Sequence, residues 1–228
     1  MDTQTKPVIP QVGEADDVII ARDLELKNLI GCPYSGINLA IHKGEVFAIR
    51  GHNGSGKTSL LLTLAGRMNF TKGSLRVLGY DLPHGRGKVQ KRVSLALFEG
   101  VNDLQESLRV TYAVGSELEL YGRKPTAEVI EEVLKKVPEL YEVRDQRIAN
   151  LTADQLVMLG VLLAWLSHPD IIVVDDIESQ LTKDQSTNIM QRITELAHQD
   201  DITLVVGVIE RDLAHMADDA LYLEKDGE

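Results

Sequence analysis

Cysteine is nearly absent. The single Cys32 rules out an internal disulfide and a cysteine-built metal cluster, fits a reducing compartment, and reads as a small buried side chain. Positive charge is in deficit: 24 Lys and Arg against 35 Asp and Glu leave a formal net charge of -11. Such a chain has no sequence-independent attraction for nucleic acid or anionic lipid, so no nucleic acid is expected as a ligand and any partner is met through specific contacts. The six histidines are scattered without metal-ligand spacing. Long apolar runs are missing too, since the longest, Leu156 to Leu166, falls well short of the roughly 20 residues that span a bilayer. No charged-then-apolar leader precedes the core, and no internal repeat or low-complexity tract is visible. The expectation is a soluble, cytoplasmic chain.

What is present is a phosphate-binding pattern. Residues Gly51-His52-Asn53-Gly54-Ser55-Gly56-Lys57-Thr58 complete a G-x-x-x-x-G-K-[ST] loop between the apolar Val46 to Arg50 and the leucine-rich Ser59 to Ala65. Glycines let consecutive N-H groups close around phosphates, and the following helix N-terminus favours anions. Lys57 reaches the outer phosphates, and Thr58 offers a hydroxyl to magnesium. A glycine-rich surface turn has no need of these residues in this order. The chain is therefore expected to bind a nucleoside triphosphate.

The 228 residues, 43% of them hydrophobic, suit one domain with an inserted lobe and are too few for two nucleotide-binding halves. Residues 1–17, with Pro7, Pro10, Gly13 and the acidic Glu14, Asp16 and Asp17, lack periodicity and read as a flexible tail. Beyond it, strand-like runs at Val46 to Ile49, Ser94 to Leu97, Ile171 to Val174 and Thr203 to Val206 alternate with helical or loop stretches. This pattern predicts an α/β domain with a mainly parallel sheet and functional residues at the strand C-terminal ends. Between the second and third runs, Thr111 to Leu120 and Thr126 to Val137 carry helix formers, with Val129, Ile130, Val133, Leu134 and Val137 on one face. A helical lobe over residues 99–167 is predicted, inserted into a core of 18–98 and 168–228, with Pro138 closing one of its helices. The second chemical element is Ile171-Ile172-Val173-Val174-Asp175-Asp176, a buried strand ending in carboxylates that can hold magnesium beside Thr58.

Order and spacing resemble the ATP-binding cassette (ABC) proteins across nearly all of the chain after residue 18. The phosphate loop, the helical insertion, Leu151-Thr152-Ala153-Asp154-Gln155 and the acidic strand carry the likeness, with Ala217-Asp218 leading into a closing strand. The resemblance implies a P-loop NTPase that uses ATP and Mg2+. It implies Asp175 as the magnesium-associated aspartate and residues 99–167 as the lobe that touches an integral membrane permease. It also implies pairing with a second ABC subunit, as homodimer or heterodimer, and a cytoplasmic protein held at the membrane by its partner.

Several positions depart from the family pattern. Asp176 stands where the family has the catalytic glutamate, and general-base placement is worth about 10²- to 10⁴-fold in rate. Asp176 is thus either a short base that slows turnover or a solvated strand-end carboxylate; Glu178 projects in another direction. Thr152 and Gln155 keep a capping box, but the signature glycines are gone. Asp154 would set a carboxylate near the γ-phosphate held by the opposite protomer, repelling it by roughly 3 kcal/mol per unit charge at about 5 Å and an effective dielectric of 20; a plain helix cap is the other reading. Val208 occupies the place of the family's phosphate-contacting histidine. The lobe-junction glutamine is replaced by Glu99, with Phe98 the other candidate, and Glu99 either meets magnesium through water or is a loop residue. Tyr34, the only aromatic in the short loop at the base end, is a base platform or a core residue. After the acidic strand, Ser179-Gln180-Leu181-Thr182 lacks the usual aspartate, and a helix start at Thr182 accounts for it. The primary reading is an ABC transporter ATPase subunit of low turnover; a nucleotide-gated regulatory subunit that scarcely hydrolyses ATP is the alternative, and a cassette without transport or another P-loop enzyme ranks third.

Overall fold

The computed structural model describes residues 16–29, 31–98, 100–101 and 103–223. Five strands form a parallel sheet in the order β6 (Val93–Ala96), β7 (Ile171–Val174), β8 (Thr203–Val208), β3 (Val46–Arg50), β9 (Asp219–Tyr222). All four residues of β7 and all six of β8 are buried, as expected of central strands covered on both faces. Their side chains alternate between two apolar clusters. Ile172, Val174, Leu204, Val206 and Val208 join the cluster with the helical lobe, whereas Ile171, Val173 and Val205 join the one with α1 (Lys57–Leu64).

A second sheet is antiparallel, in the order β2 (Tyr34–His42), β1 (Asp17–Leu26), β4 (Lys72–Val77), β5 (Tyr80–Leu82). It closes over α1 and completes the second cluster through Ile19, Leu24, Ile41 and Val77. The apolar-run reading did not separate these strands. They are only half buried, and register shifts in β1 interrupt its alternation; β1 does carry one apolar run, Val18 to Ala21, directly after the stretch read as a tail. β1 begins at Asp17, inside the stretch read as a tail; residues 1–15 lie outside the described ones.

Between β6 and β7 the chain forms α3 (Val110–Leu120), α4 (Ala127–Lys135), α5 (Pro138–Glu142) and α6 (Ala153–Trp165). Thr126 caps α4 by accepting from the Val129 N-H, and Glu128 sits in the first turn, where the helix dipole favours an acid. Val133, Leu134 and Val137 are buried as the one-face pattern requires, while Val129 and Ile130 are partly buried against the same cluster. Pro138 differs from expectation. The helix before it ends at Lys135, and Pro138 opens α5, where its missing N-H has no bond to lose. The lobe is tied to the core by an Arg192–Glu139 ion pair and by the Trp165 indole, which donates to Asp200 at 2.9 Å. It also approaches closely at Gly160: a Cβ there would lie 2.6 Å from Leu97 Cδ2.

Tyr34 is a core residue. It is 4% exposed, and its hydroxyl donates to Thr63 Oγ1 on α1 at 2.7 Å, pinning β2 to the helix that follows the phosphate loop. Burial pushes its phenol up to about 12. A ring held this way is not free to stack on a base. Tyr34→Phe removes one donor, while Thr63 keeps its own bond to the Ser59 carbonyl at 2.8 Å. The expected outcome is a stability loss of about 1 kcal/mol, read as a lower urea midpoint with unchanged slope, and unaltered nucleotide affinity.

Candidate functional site

The parallel register sets the site. Arg50 at the end of β3 pairs with Val208 and Val174 at the end of β7 pairs with Val206, so the chain leaves both strands at one edge of the sheet. From β3 it turns at once into the loop Gly51 to Gly56 and then α1. The Gly51 N-H donates to the Val208 carbonyl at 3.1 Å, anchoring the loop to the sheet. Gly54 and Gly56 adopt φ of +80° and +92°, which L side chains rarely tolerate. At Gly56 the constraint is double, because a Cβ would lie 2.1 Å from the Pro33 carbonyl oxygen. Pro33 is a neighbour that the sequence reading missed; only the glycine it presses against carries a signal.

The loop is held in shape by the protein's own bonds. Lys57 is 7% exposed, and its ammonium donates to the carbonyls of Gly51 at 2.7 Å and His52 at 3.0 Å. His52, Asn53 and Gly54 are exposed at the loop tip. Ser55 is 4% exposed, and its Oγ has no partner among the described residues. An orphaned buried hydroxyl and a lysine folded onto its own loop's carbonyls fit a polyphosphate, whose oxygens can accept from both.

Beside the loop, Thr58 Oγ1 donates to Asp175 Oδ2 at 2.5 Å. These two residues, 117 apart in the chain, form a pair of hard oxygen donors of the kind magnesium takes together with water and phosphate oxygens. Among the described residues no group of three or more His, Cys, Asp and Glu forms a metal cluster. Asp175 is 7% exposed. Burial raises its carboxyl above the ordinary 3.8, the Thr58 hydroxyl opposes that, and the neighbouring Asp176 charge adds to it.

Asp176 is exposed and lines the same cleft, with its backbone in the left-handed region at φ +45°. Aspartate is among the few side chains that accept this conformation readily. Phe98 is 2% exposed within the core and cannot serve as a ligand, and Glu99 lies outside the described residues. Val208 is fully buried and offers no polar group. Thr152 heads α6 as expected, its N-H donating to Gln155 Oε1 at 3.0 Å. Thr182 likewise heads α7 (Lys183–Gln199), its hydroxyl accepting from Gln185 N-H at 3.3 Å.

The cleft is open and measures about 1650 Å³. One wall is Asn53 to Ser59 with Asp175 and Asp176; another includes Ala153, Leu156, Val157 and Gly160 of α6. Small-molecule pockets typically measure about 300–1,000 Å³, so this open cleft lies above that range.

Comparison with known proteins agrees with this geometry. The family model described as "ABC transporter" matches residues 34–179. A putative ABC transporter ATP-binding protein of Methanopyrus kandleri is 27% identical over 198 residues, covering 86% of this chain and 73% of that protein. A methionine import ATP-binding protein of Chlamydia pneumoniae is 29% identical over 178 residues, covering 75% of this chain and 52% of the relative. The chain thus spans about half of that second relative. Among solved structures, cbiO1 of Clostridium perfringens, part of an ABC transporter complex, superposes with a TM-score of 0.79 at 20% identity, covering 92% of this chain and 86% of that one.

The Asp175 shift fixes a sign. A folded-state pKa raised above 3.8 means the fold favours the protonated acid, so this group's contribution to stability falls as pH rises from about 3.8 through the folded value. Asp175→Asn cannot ionise and still accepts from Thr58. Urea unfolding without magnesium or nucleotide is expected to show the variant more stable than wild type at neutral pH, with the difference vanishing in acid. In the presence of magnesium and ATP, the variant is expected to lose nucleotide affinity.

Proposed function

The chain belongs to the ABC transporter family, whose model covers residues 34–179, and from that premise we propose that it is an ATP-binding subunit that couples nucleotide binding and slow hydrolysis to a separate membrane protein. The observation that carries the reading is the Thr58–Asp175 contact beside a preformed phosphate loop. Backbone N-H groups of Gly54 to Thr58 and the Lys57 ammonium hold the phosphates, and Lys57 exchanges its bonds to the Gly51 and His52 carbonyls for phosphate oxygens. Thr58 and Asp175 would hold magnesium, which neutralises charge on the phosphate oxygens when bound.

Asp176 would act as the base that takes the proton of the attacking water. Its carboxylate is one methylene shorter than a glutamate's, so the water is poorly reached and turnover is low. The open mouth of the cleft is consistent with pairing with a second cassette, which would cover it. No helix among the described residues is long and apolar enough to cross a membrane. In this reading the lobe at residues 99–167 meets a separate membrane component. The relatives' coupling to methionine import or to a transporter complex supports that partner class and leaves the cargo to the partner.

Calorimetry beside steady-state phosphate release tests this. Wild type is expected to bind Mg·ATP, and Lys57→Ala to bind at least tenfold more weakly, about 1.4 kcal/mol. Asp176→Glu is expected to release phosphate at least tenfold faster than wild type. No heat from wild type at millimolar Mg·ATP would end the reading. Equal rates for wild type and Asp176→Glu would move the cause of slow turnover to Asp154 or Val208.

A further inference from the structure

The two residues that follow β8 are held from both sides. The Glu178 carboxylate accepts from the backbone N-H of Ile209 with one oxygen and from that of Glu210, at 3.0 Å, with the other. Arg50 Nε donates to the Ile209 carbonyl at 3.1 Å, and its guanidinium carbon lies 4.9 Å from the centroid of the Tyr222 ring. Arg50 immediately precedes Gly51, and Glu178 lies three residues past Asp175. The loop at 209–210 is therefore fastened to the start of the phosphate loop by one residue and to the acidic strand end by the other.

Solvent could satisfy these amides at a half-exposed to exposed loop, so the clamp is not required to avoid buried unpaired groups. What it does is fix the loop's position. A carboxylate spanning two consecutive N-H groups makes two charge-assisted bonds at once, which a single hydroxyl cannot do. Val208, one residue upstream, is fully buried and reports nothing to the cleft. Downstream, Asp212 on α8 (Arg211–Ala214) pairs with Lys183 on α7 at 2.5 Å, so the same segment connects to the outer helices.

We propose that Glu178 is a positioning residue that makes the 209–210 loop move with the Asp175–Asp176 turn, passing nucleotide occupancy to α8 through backbone amides rather than through a side chain at position 208. This rests on the nucleotide-binding reading above. Thr58 and Asp175, which would hold magnesium beside the phosphates, sit where the chain leaves β7, so occupancy there would be felt at the strand end. Glu178 is on the turn that leaves that strand, and Arg50 supplies the opposing hold from β3.

Amide hydrogen exchange on the full chain, with and without Mg·ATP, tests the proposal in wild type and Glu178→Gln. The substituted side chain keeps one acceptor and turns an NH2 group toward the other N-H, breaking the two-point hold. Wild type is expected to show nucleotide-dependent slowing at residues 52–58 and a change of about tenfold or more in exchange at 209–210. In Glu178→Gln the slowing at 52–58 persists and the change at 209–210 is lost. Glu178→Ala, read the same way, serves should the amide variant fail to fold. A nucleotide response at 209–210 that survives in the variant overturns the proposal, as does wild-type slowing at 52–58 without a response at 209–210. Absence of slowing at 52–58 in wild type removes the nucleotide reading itself and this proposal with it.

Discussion

The bond from Thr58 to Asp175 depends on strand register more than on either side chain. Neither residue is near the other in sequence, and neither is on the strand between them. β8 lies between β3 and β7, and the two pairings set where each strand ends, β3 opposite Val208 and β7 opposite Val206. Ladder bonds and a largely apolar interior fix that register, because sliding one strand by a residue would turn its side chains to the opposite cluster. The 2.5 Å contact is thus a readout of core packing at the place where chemistry is expected.

The same packing explains how an ammonium and a carboxylate remain in a nearly closed setting. Lys57 and Asp175 are each 7% exposed, and isolated charges there would be costly. Lys57 is satisfied by two carbonyls of its own loop, which also hold the loop in a curled shape. Burial lifts the Asp175 carboxyl, its one hydroxyl partner opposes the lift, and the neighbouring acid adds to it. The protein's own groups are therefore unbalanced toward negative charge on the strand side and preshaped on the loop side. A divalent cation carried by a polyphosphate answers both conditions in one step.

The phosphate loop was legible from sequence because each of its residues answers to a local requirement: positive φ at Gly54 and Gly56, a lysine, a hydroxyl at the helix start. The parallel strands were legible because full burial on two faces writes continuous apolar runs. The antiparallel sheet was passed over because its strands are half buried and bulged; β1 writes only the short run Val18 to Ala21, next to residues that read as a tail, before its alternation breaks. Tyr34 stayed ambiguous since an aromatic between loop and strand fits a base platform as well as a core, and only its bond to Thr63, 29 residues away, decides. Pro138 obeyed the rule that proline cannot lie inside a helix, but that rule does not say whether it ends one helix or begins the next. The role of Glu178 was hidden because the amides it holds come from another strand's end, 31 and 32 residues further along the chain.

Three substituted positions are each well accommodated by the fold. Val208 completes the apolar face of β8, Asp176 suits the left-handed backbone at φ +45°, and the segment around Asp154 retains the Thr152–Gln155 cap. None is a packing defect, so none predicts an unstable chain. In the proposed reading, the groups that would bind phosphate sit on the loop between β3 and α1, and those that would organise water sit at the ends of β7 and β8. Substitution at Asp176 or Val208 leaves in place the Lys57 bonds that curl the loop, because those bonds go to the Gly51 and His52 carbonyls. Arg50, just before the cradle, and Glu178, just past the acidic strand end, both hold the loop at 209–210 by hydrogen bonds to its backbone, and the side chains at Asp176 and Val208 take no part in those bonds.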